Sequence, residues 1–232
     1  MEEQPQLPQL PQEPQIQIIS IEGNIGAGKS TILEHLKETY EKNSLVAFVD
    51  EPVEIWGTIR DNTGEDILTK FYKNPTQYAF SFQVMAFATR VHKLREALTE
   101  KPNAKILICE RSLEADSNIF AQMLYDDGHM ESIEHTIYKR YYDIYKNDFK
   151  HSGIVFVNAT PEKCFERIQK RNRNGENNIA FDYIQKCNKY HVKWLGGNID
   201  QKLLTIDSNI EKTETILNEW KDNIKGFMTE FV

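Results

Sequence analysis

The stretch Gly23-Asn24-Ile25-Gly26-Ala27-Gly28-Lys29-Ser30, followed by Thr31, decides how the rest of the chain reads. Its glycines and the Lys-Ser pair have the spacing of a P-loop, in which successive backbone N–H groups point at the β-phosphate of a nucleotide. Lys29 then brings a point charge to the β- and γ-phosphates, and Ser30 offers a hydroxyl to Mg²⁺. The motif follows the apolar run Ile18-Ile19-Ser20-Ile21 and opens a segment with Ile32, Leu33 and Leu36 at helical spacing. That strand, loop and helix order is the context the motif needs, and the dipole of the helix adds positive potential at its start.

Outward from the P-loop, short runs rich in branched residues alternate with longer segments of helical period, the pattern of parallel strands joined by crossover helices. Strands are expected near 17–21, 45–49, 105–109, 154–157 and 203–206. The clearest helix covers 76–98, where Val84, Phe87, Val91, Leu94 and Leu98 recur at spacings of three or four. Further helices are expected over 29–42, 131–149, 161–170, 182–195 and 211–225. The fold class is therefore α/β: a P-loop NTPase-type, five-stranded parallel sheet with helices on both faces and an Arg-rich lid.

The 232 residues suit one such domain, taken to run over 16–232. Before it, Pro5, Pro8, Pro11 and Pro14 stand three apart among glutamines, and this 1–15 segment is expected to be a disordered tail. It lacks the basic residues of a transit peptide and the apolar stretch of a secretory signal, so a cytoplasmic location is expected. No run of apolar residues is long enough to span a membrane, and none is expected to. The net charge of −7 argues against a protein that binds by neutralising a nucleic-acid backbone, while leaving room for a local Arg cluster around a small anion. Cys109, Cys164 and Cys187 have neither a disulfide nor a zinc-site spacing, and Cys109 within Ile106-Leu107-Ile108-Cys109 reads as a small buried residue.

Strand ends in such a sheet border the ligand crevice, which draws attention to two places. The second strand ends at Asp50-Glu51-Pro52-Val53, so Glu51 faces the phosphates or is a solvated loop acid. The third ends at Glu110-Arg111-Ser112, either an ion pair at the surface or an acid near Mg²⁺ beside a base that reaches phosphate. Arg167 and Arg171 share a helix face and repel unless an anion joins them, as it would if the Arg-rich run through Arg173 formed a mobile lid. A solvated basic helix end is the alternative.

Four blocks in order, 23–31, Glu-Pro-Val at 51–53, Phe-Ser-Phe-Gln at 80–83 and Glu-Arg-Ser at 110–112, with the Arg-rich segment behind them, resemble the deoxynucleoside kinases of the deoxycytidine and deoxyguanosine type. The resemblance runs from Gln17 to the last helix. It implies ATP as phosphate donor, Mg²⁺, a homodimer and transfer to the 5′-hydroxyl of a deoxynucleoside in nucleotide salvage. It further implies that Glu51 is the general base and that Arg111 holds the acceptor hydroxyl and the developing charge. Glu110 stands near the metal, and Arg167, Arg171 and Arg173 grip the donor. Tyr72 and Glu176 correspond to the pair that binds the sugar 3′-hydroxyl, and Gln83 to the glutamine that reads the base. Trp56, Leu68, Phe82, Ala86 and Phe120 fall around that base. Arg90 and Asp116 match the pair that marks members accepting deoxycytidine and purines rather than thymidine. Gly175 departs from the pattern, standing where a second Glu often precedes Glu176. A nucleoside monophosphate kinase of the thymidylate type and a non-catalytic nucleotide-binding relative are the rival readings.

Overall fold

β1 (Gln17–Glu22) lies at the centre of a five-stranded, all-parallel sheet. It pairs on one side with β3 (Ile106–Glu110), beyond which lies β2 (Val46–Val49), and on the other with β4 (His151–Asn158), beyond which lies β5 (Lys202–Asp207). The computed structural model describes residues 16–173 and 175–231. The proline-bearing segment 1–15 lies outside them.

The central strands are covered on both faces, which is why they read as nearly continuous apolar runs. Ile19 and Ile21 pack into a core with Ile32, Leu33 and Leu36 of α1 (Lys29–Tyr40) and with Trp220 and Ile224 of α10 (Glu214–Met228). Ile18, Leu107 and Cys109 pack on the opposite side with Phe87, Val91 and Leu94 of α4 (Pro75–Glu100) and Tyr138 of α7 (Ser132–Tyr145). Helices therefore flank both faces, as the alternating pattern predicts. All three cysteines are free and buried. Among the described residues, no helix is long and apolar enough to cross a membrane.

α4 divides its labour. Phe87, Val91 and Leu94 of the predicted stripe pack on the sheet, whereas Phe82, Gln83, Ala86 and Arg90 line a cleft. Pro75 at its first turn and the Asn74 side chain, which accepts from the Gln77 N–H at 3.4 Å, set where it starts.

Several boundaries shift for local reasons. α10 starts at Glu214 rather than 211 because the Thr213 hydroxyl accepts from the Ile216 N–H. α7 stops at Tyr145, four residues short of the expected end, and β4 begins earlier, at His151. α8 (Pro161–Arg171) and α9 (Phe181–Leu195) match the expectation to within one residue at each end. The sequence reading missed α2 (Val53–Thr58) and α3 (Ile67–Lys73), each too short to repeat a helical period. It also missed the helical run made of α5 (Leu113–Ala115), a π-turn at Asp116–Ala121 and α6 (Gln122–Asp126). The π-turn breaks the 3.6-residue rhythm by which a helix is recognised.

Candidate active site

The P-loop turns from β1 into α1, and Gly26 shows why glycine is required there. Its φ is +79°, and a Cβ would collide with the Cys164 carbonyl oxygen of α8. Within the loop, Asn24 accepts from the Ile25 N–H at 2.9 Å and donates to the Ile184 carbonyl at 2.9 Å, tying the loop to α9. Lys29 donates to the Asn24 carbonyl at 3.2 Å and stands 3.8 Å from Glu110. Burial, with Arg111 adding repulsion, lowers the Lys29 ammonium from its ordinary range. The Ser30 hydroxyl donates to Glu110 Oε1 at 3.0 Å. Ser30 and Glu110 thus form an oxygen pair beside the P-loop lysine, the donor set a hard cation such as Mg²⁺ takes together with phosphate oxygens.

Facing the P-loop, Glu51 is held by two arginines through one oxygen. Arg111 donates from Nε at 3.0 Å and Arg90 from Nη2 at 3.2 Å. Burial alone would push the Glu51 carboxyl up; the Arg111 and Arg90 guanidiniums outweigh it and hold it down at about 2. Arg90 is itself fully buried. It spans Asp116 through Nε at 2.8 Å and Nη2 at 3.2 Å, and donates from Nη1 to the Glu110 carbonyl at 3.1 Å. The Asp116 partner sits in the π-turn that follows β3. Arg111 also stacks its guanidinium over the Phe120 ring at 4.5 Å, from the same turn.

The P-loop and Glu51 line a single cleft of about 470 Å³. Every expected site residue lines it except Gly23, Asn24 and Ala27, which are buried in the loop. At the end away from the P-loop the walls are aromatic: Phe71 stacks on Phe82 with centroids 4.6 Å apart, and Trp56 meets Phe82 edge-on at 5.3 Å. Leu68, Ala86, Phe120 and the buried Gln83 complete that end. Trp56 donates from Nε1 to the Thr89 hydroxyl at 3.0 Å, which fixes the indole plane.

Behind α8, Glu176 is buried and receives Arg171 through both Nε at 3.1 Å and Nη2 at 2.7 and 2.6 Å, with Arg173 adding a contact at 3.4 Å. Gly175, at φ +83°, lies against Thr69 of α3, so the departure from the expected Glu coincides with a close approach that a side chain would block. Tyr72 lines the cleft nearby; burial and the Glu176 charge push its hydroxyl well above the usual range. Arg167 is placed differently from Arg171 and Arg173. Its guanidinium donates to the Ala27 carbonyl at 3.1 Å and to the Ser208 carbonyl at 2.7 Å, bracing the P-loop against the segment after β5.

Sequence reasoning missed Phe71, Tyr183, Val53, Glu34 and Lys212, which also line the cleft. Lys212 was within reach of the rule that singled out Glu51, since it follows the end of a strand. Phe71 and Tyr183 carry no local signal, because only the docking of α3 and α9 brings them in.

A nucleotide loop at one end of a cleft, an arginine-clamped carboxylate across from it and an aromatic chamber beyond define a P-loop phosphotransferase for a small cyclic acceptor. The chain belongs to the deoxynucleoside kinase family, whose model matches residues 19–229. It is 35% identical to bovine deoxycytidine kinase, over 89% of this chain and 90% of that one. Human deoxycytidine kinase is 37% identical over 78% of this chain and 75% of its own. The mitochondrial deoxyguanosine kinase of Xenopus laevis is 29% identical over 92% and 90%.

Proposed function

We propose that this protein transfers the γ-phosphate of ATP to the 5′-hydroxyl of a deoxynucleoside, a salvage reaction, and that deoxycytidine or a purine deoxynucleoside is preferred over thymidine. The observation that carries the reading is the position of Glu51. It lies across the cleft from Lys29, is held in place by Arg90 and Arg111, and is ionised at any physiological pH.

Each group then has a task. The P-loop amides and Lys29 hold the donor phosphates, and Arg171 and Arg173 swing from Glu176 to the transferring group as the lid closes. Ser30 and Glu110 would hold Mg²⁺, which would neutralise charge on the phosphate oxygens. Glu51 accepts the proton of the 5′-hydroxyl, and Arg111 stabilises the charge that develops on the phosphoryl group. Gln83 reads the base between Trp56, Leu68, Phe82, Ala86 and Phe120, while Tyr72 and Glu176 bind the sugar 3′-hydroxyl. The Arg90–Asp116 pair presents polar edges where the thymine methyl would have to fit, which is the basis of the base preference.

A thymidylate-type kinase would need cations free to meet an acceptor phosphate at this end. Arg90 and Arg111 are instead both engaged by Glu51. The test is an assay of purified protein with labelled ATP, each of four deoxynucleosides and dTMP. Label in the monophosphates of deoxycytidine, deoxyadenosine or deoxyguanosine is expected; label passing to dTMP alone would refute the reading.

The protein acts as a homodimer in the same proposal. Ile133, Ile137, Tyr141 and Ile144 line one side of α7 at spacings of four, four and three, and all are exposed. A second copy of α7 across a two-fold axis would bury this stripe. Three free, buried thiols suit a reducing compartment such as the cytoplasm.

A further inference from the structure

The segment that follows β5 is built onto the P-loop. Ser208 donates from its hydroxyl to the Ala27 carbonyl at 2.7 Å and from its backbone N–H to the Asn158 carbonyl at 2.7 Å. Arg167 locks the same place, donating to Ala27, to both oxygens of Ser208 and, at 3.5 Å, to the Ile210 carbonyl. Four residues beyond Ser208, Lys212 reaches back over the start of α1. Its ammonium packs against Gly28, where a Cβ would overlap it, and donates to the Thr31 hydroxyl at 3.4 Å.

This is an unusual place for an ammonium group. Lys212 is half-buried and lines the cleft, and its charged neighbours are Arg167, Arg171 and Lys29. Among the described residues, no carboxylate pairs with it. Burial and those cations push the Lys212 ammonium down to about 8. The start of α1 adds the positive end of a helix dipole on the same side. Arg171 and Lys29 each meet a carboxylate, Glu176 and Glu110, and Arg167 is held on carbonyls, so the counter-charge still to be supplied is the one for Lys212, and an anion seated on the P-loop supplies it.

The location narrows which part of that anion Lys212 meets. Lys29 and Ser30 face Glu110 and the acceptor end, where the γ-phosphate must lie for transfer. Lys212 stands at Gly28 and Thr31. We propose that Lys212 is a donor-binding residue that pairs with the α- and β-phosphates of the nucleoside triphosphate, with Arg167 acting as the brace that presents it. The proposal rests on the kinase reading, since it takes ATP as the ligand of the P-loop.

The test measures binding to the full chain by calorimetry in EDTA, with ATP, ADP, adenosine and deoxycytidine as separate ligands. Loss of one charge-assisted contact should weaken ATP and ADP about tenfold in Lys212→Met and in Lys212→Gln, whereas Lys212→Arg should stay within about threefold of wild type. Adenosine and deoxycytidine should bind both neutral variants as they bind wild type. ATP affinity within twofold of wild type in both neutral variants would overturn the proposal. So would an equal loss for ATP and adenosine, which would mean that Lys212 only shapes the loop. Wild-type protein that binds ATP but phosphorylates no deoxynucleoside would refute the acceptor assignment and leave the Lys212 result to stand on its own.

Discussion

Arg111 donates to Glu51 at 3.0 Å from a backbone held at φ +69°. Consecutive residues of an extended strand point to opposite faces. The left-handed turn at Arg111 is what lets Glu110 and Arg111, adjacent in sequence, both line one cleft. A non-glycine residue in this region costs on the order of 1–3 kcal/mol, and here the cost accompanies a Glu51 contact, a Phe120 stack and a backbone bond to Ile21.

Arg90 and Asp116 are removed together in the first prediction, because taking away either alone strands a buried charge. The double variant Arg90→Met, Asp116→Ala should phosphorylate thymidine, raising kcat/KM for thymidine relative to deoxycytidine by about tenfold or more. Total turnover should fall, since Glu51 also loses one of its two arginines. Background thymidine activity with unchanged deoxycytidine activity would rule out a selectivity role.

His191 carries a pH prediction for stability. It is fully buried, with Nδ1 2.7 Å from the Cys187 carbonyl, and burial, with Arg111 adding repulsion, holds its imidazole down at about 3. The unfolded chain therefore binds a proton near pH 6.5 that the folded chain refuses until about pH 3. This group costs stability as pH falls through that window, about 2 kcal/mol between pH 7 and pH 5. His151 works in the other direction. Burial would lower its imidazole, but Glu114 at 2.8 Å outweighs it and raises the group well above the usual range, so that contribution is present at low pH and lost as pH rises. Urea unfolding of His191→Asn should show a loss from pH 7 to pH 5 smaller than wild type by about that amount. An unchanged difference would refute the assignment.

The exposed stripe on α7 gives the third prediction. Ile133→Asp with Ile144→Asp should leave the fold intact and shift the protein from dimer to monomer in sedimentation. A wild type that sediments as a monomer at the same concentrations would contradict the proposed assembly.

The sheet was legible because buried parallel strands are apolar on both faces, so Ile18-Ile19-Ser20-Ile21 and Ile106-Leu107-Ile108-Cys109 announce themselves without partners. The P-loop was legible because its geometry needs glycine at Gly26 and Gly28. Glu51 and Glu110 were found from their place at strand ends, and Arg90 and Asp116 only through family resemblance. Arg90 stands among the apolar Ala86, Phe87, Val91 and Leu94 with no local sign of its partner, and Asp116 sits in a π-turn whose extra residue erases the helical period. What tertiary docking alone decides stayed out of reach. Arg167 braces Ala27 and Ser208 through contacts more than forty residues apart in sequence, and Phe71 and Tyr183 enter the cleft only when α3 and α9 dock.

The most direct test is single-turnover phosphoryl transfer by Glu51→Gln at saturating ATP and deoxycytidine, with ATP affinity measured alongside. Glutamine keeps the shape and a carbonyl for Arg111 but cannot take the 5′-hydroxyl proton. The rate should fall by roughly 10²–10⁴ while ATP affinity stays near wild type. A transfer rate within about threefold of wild type would contradict Glu51 as the base.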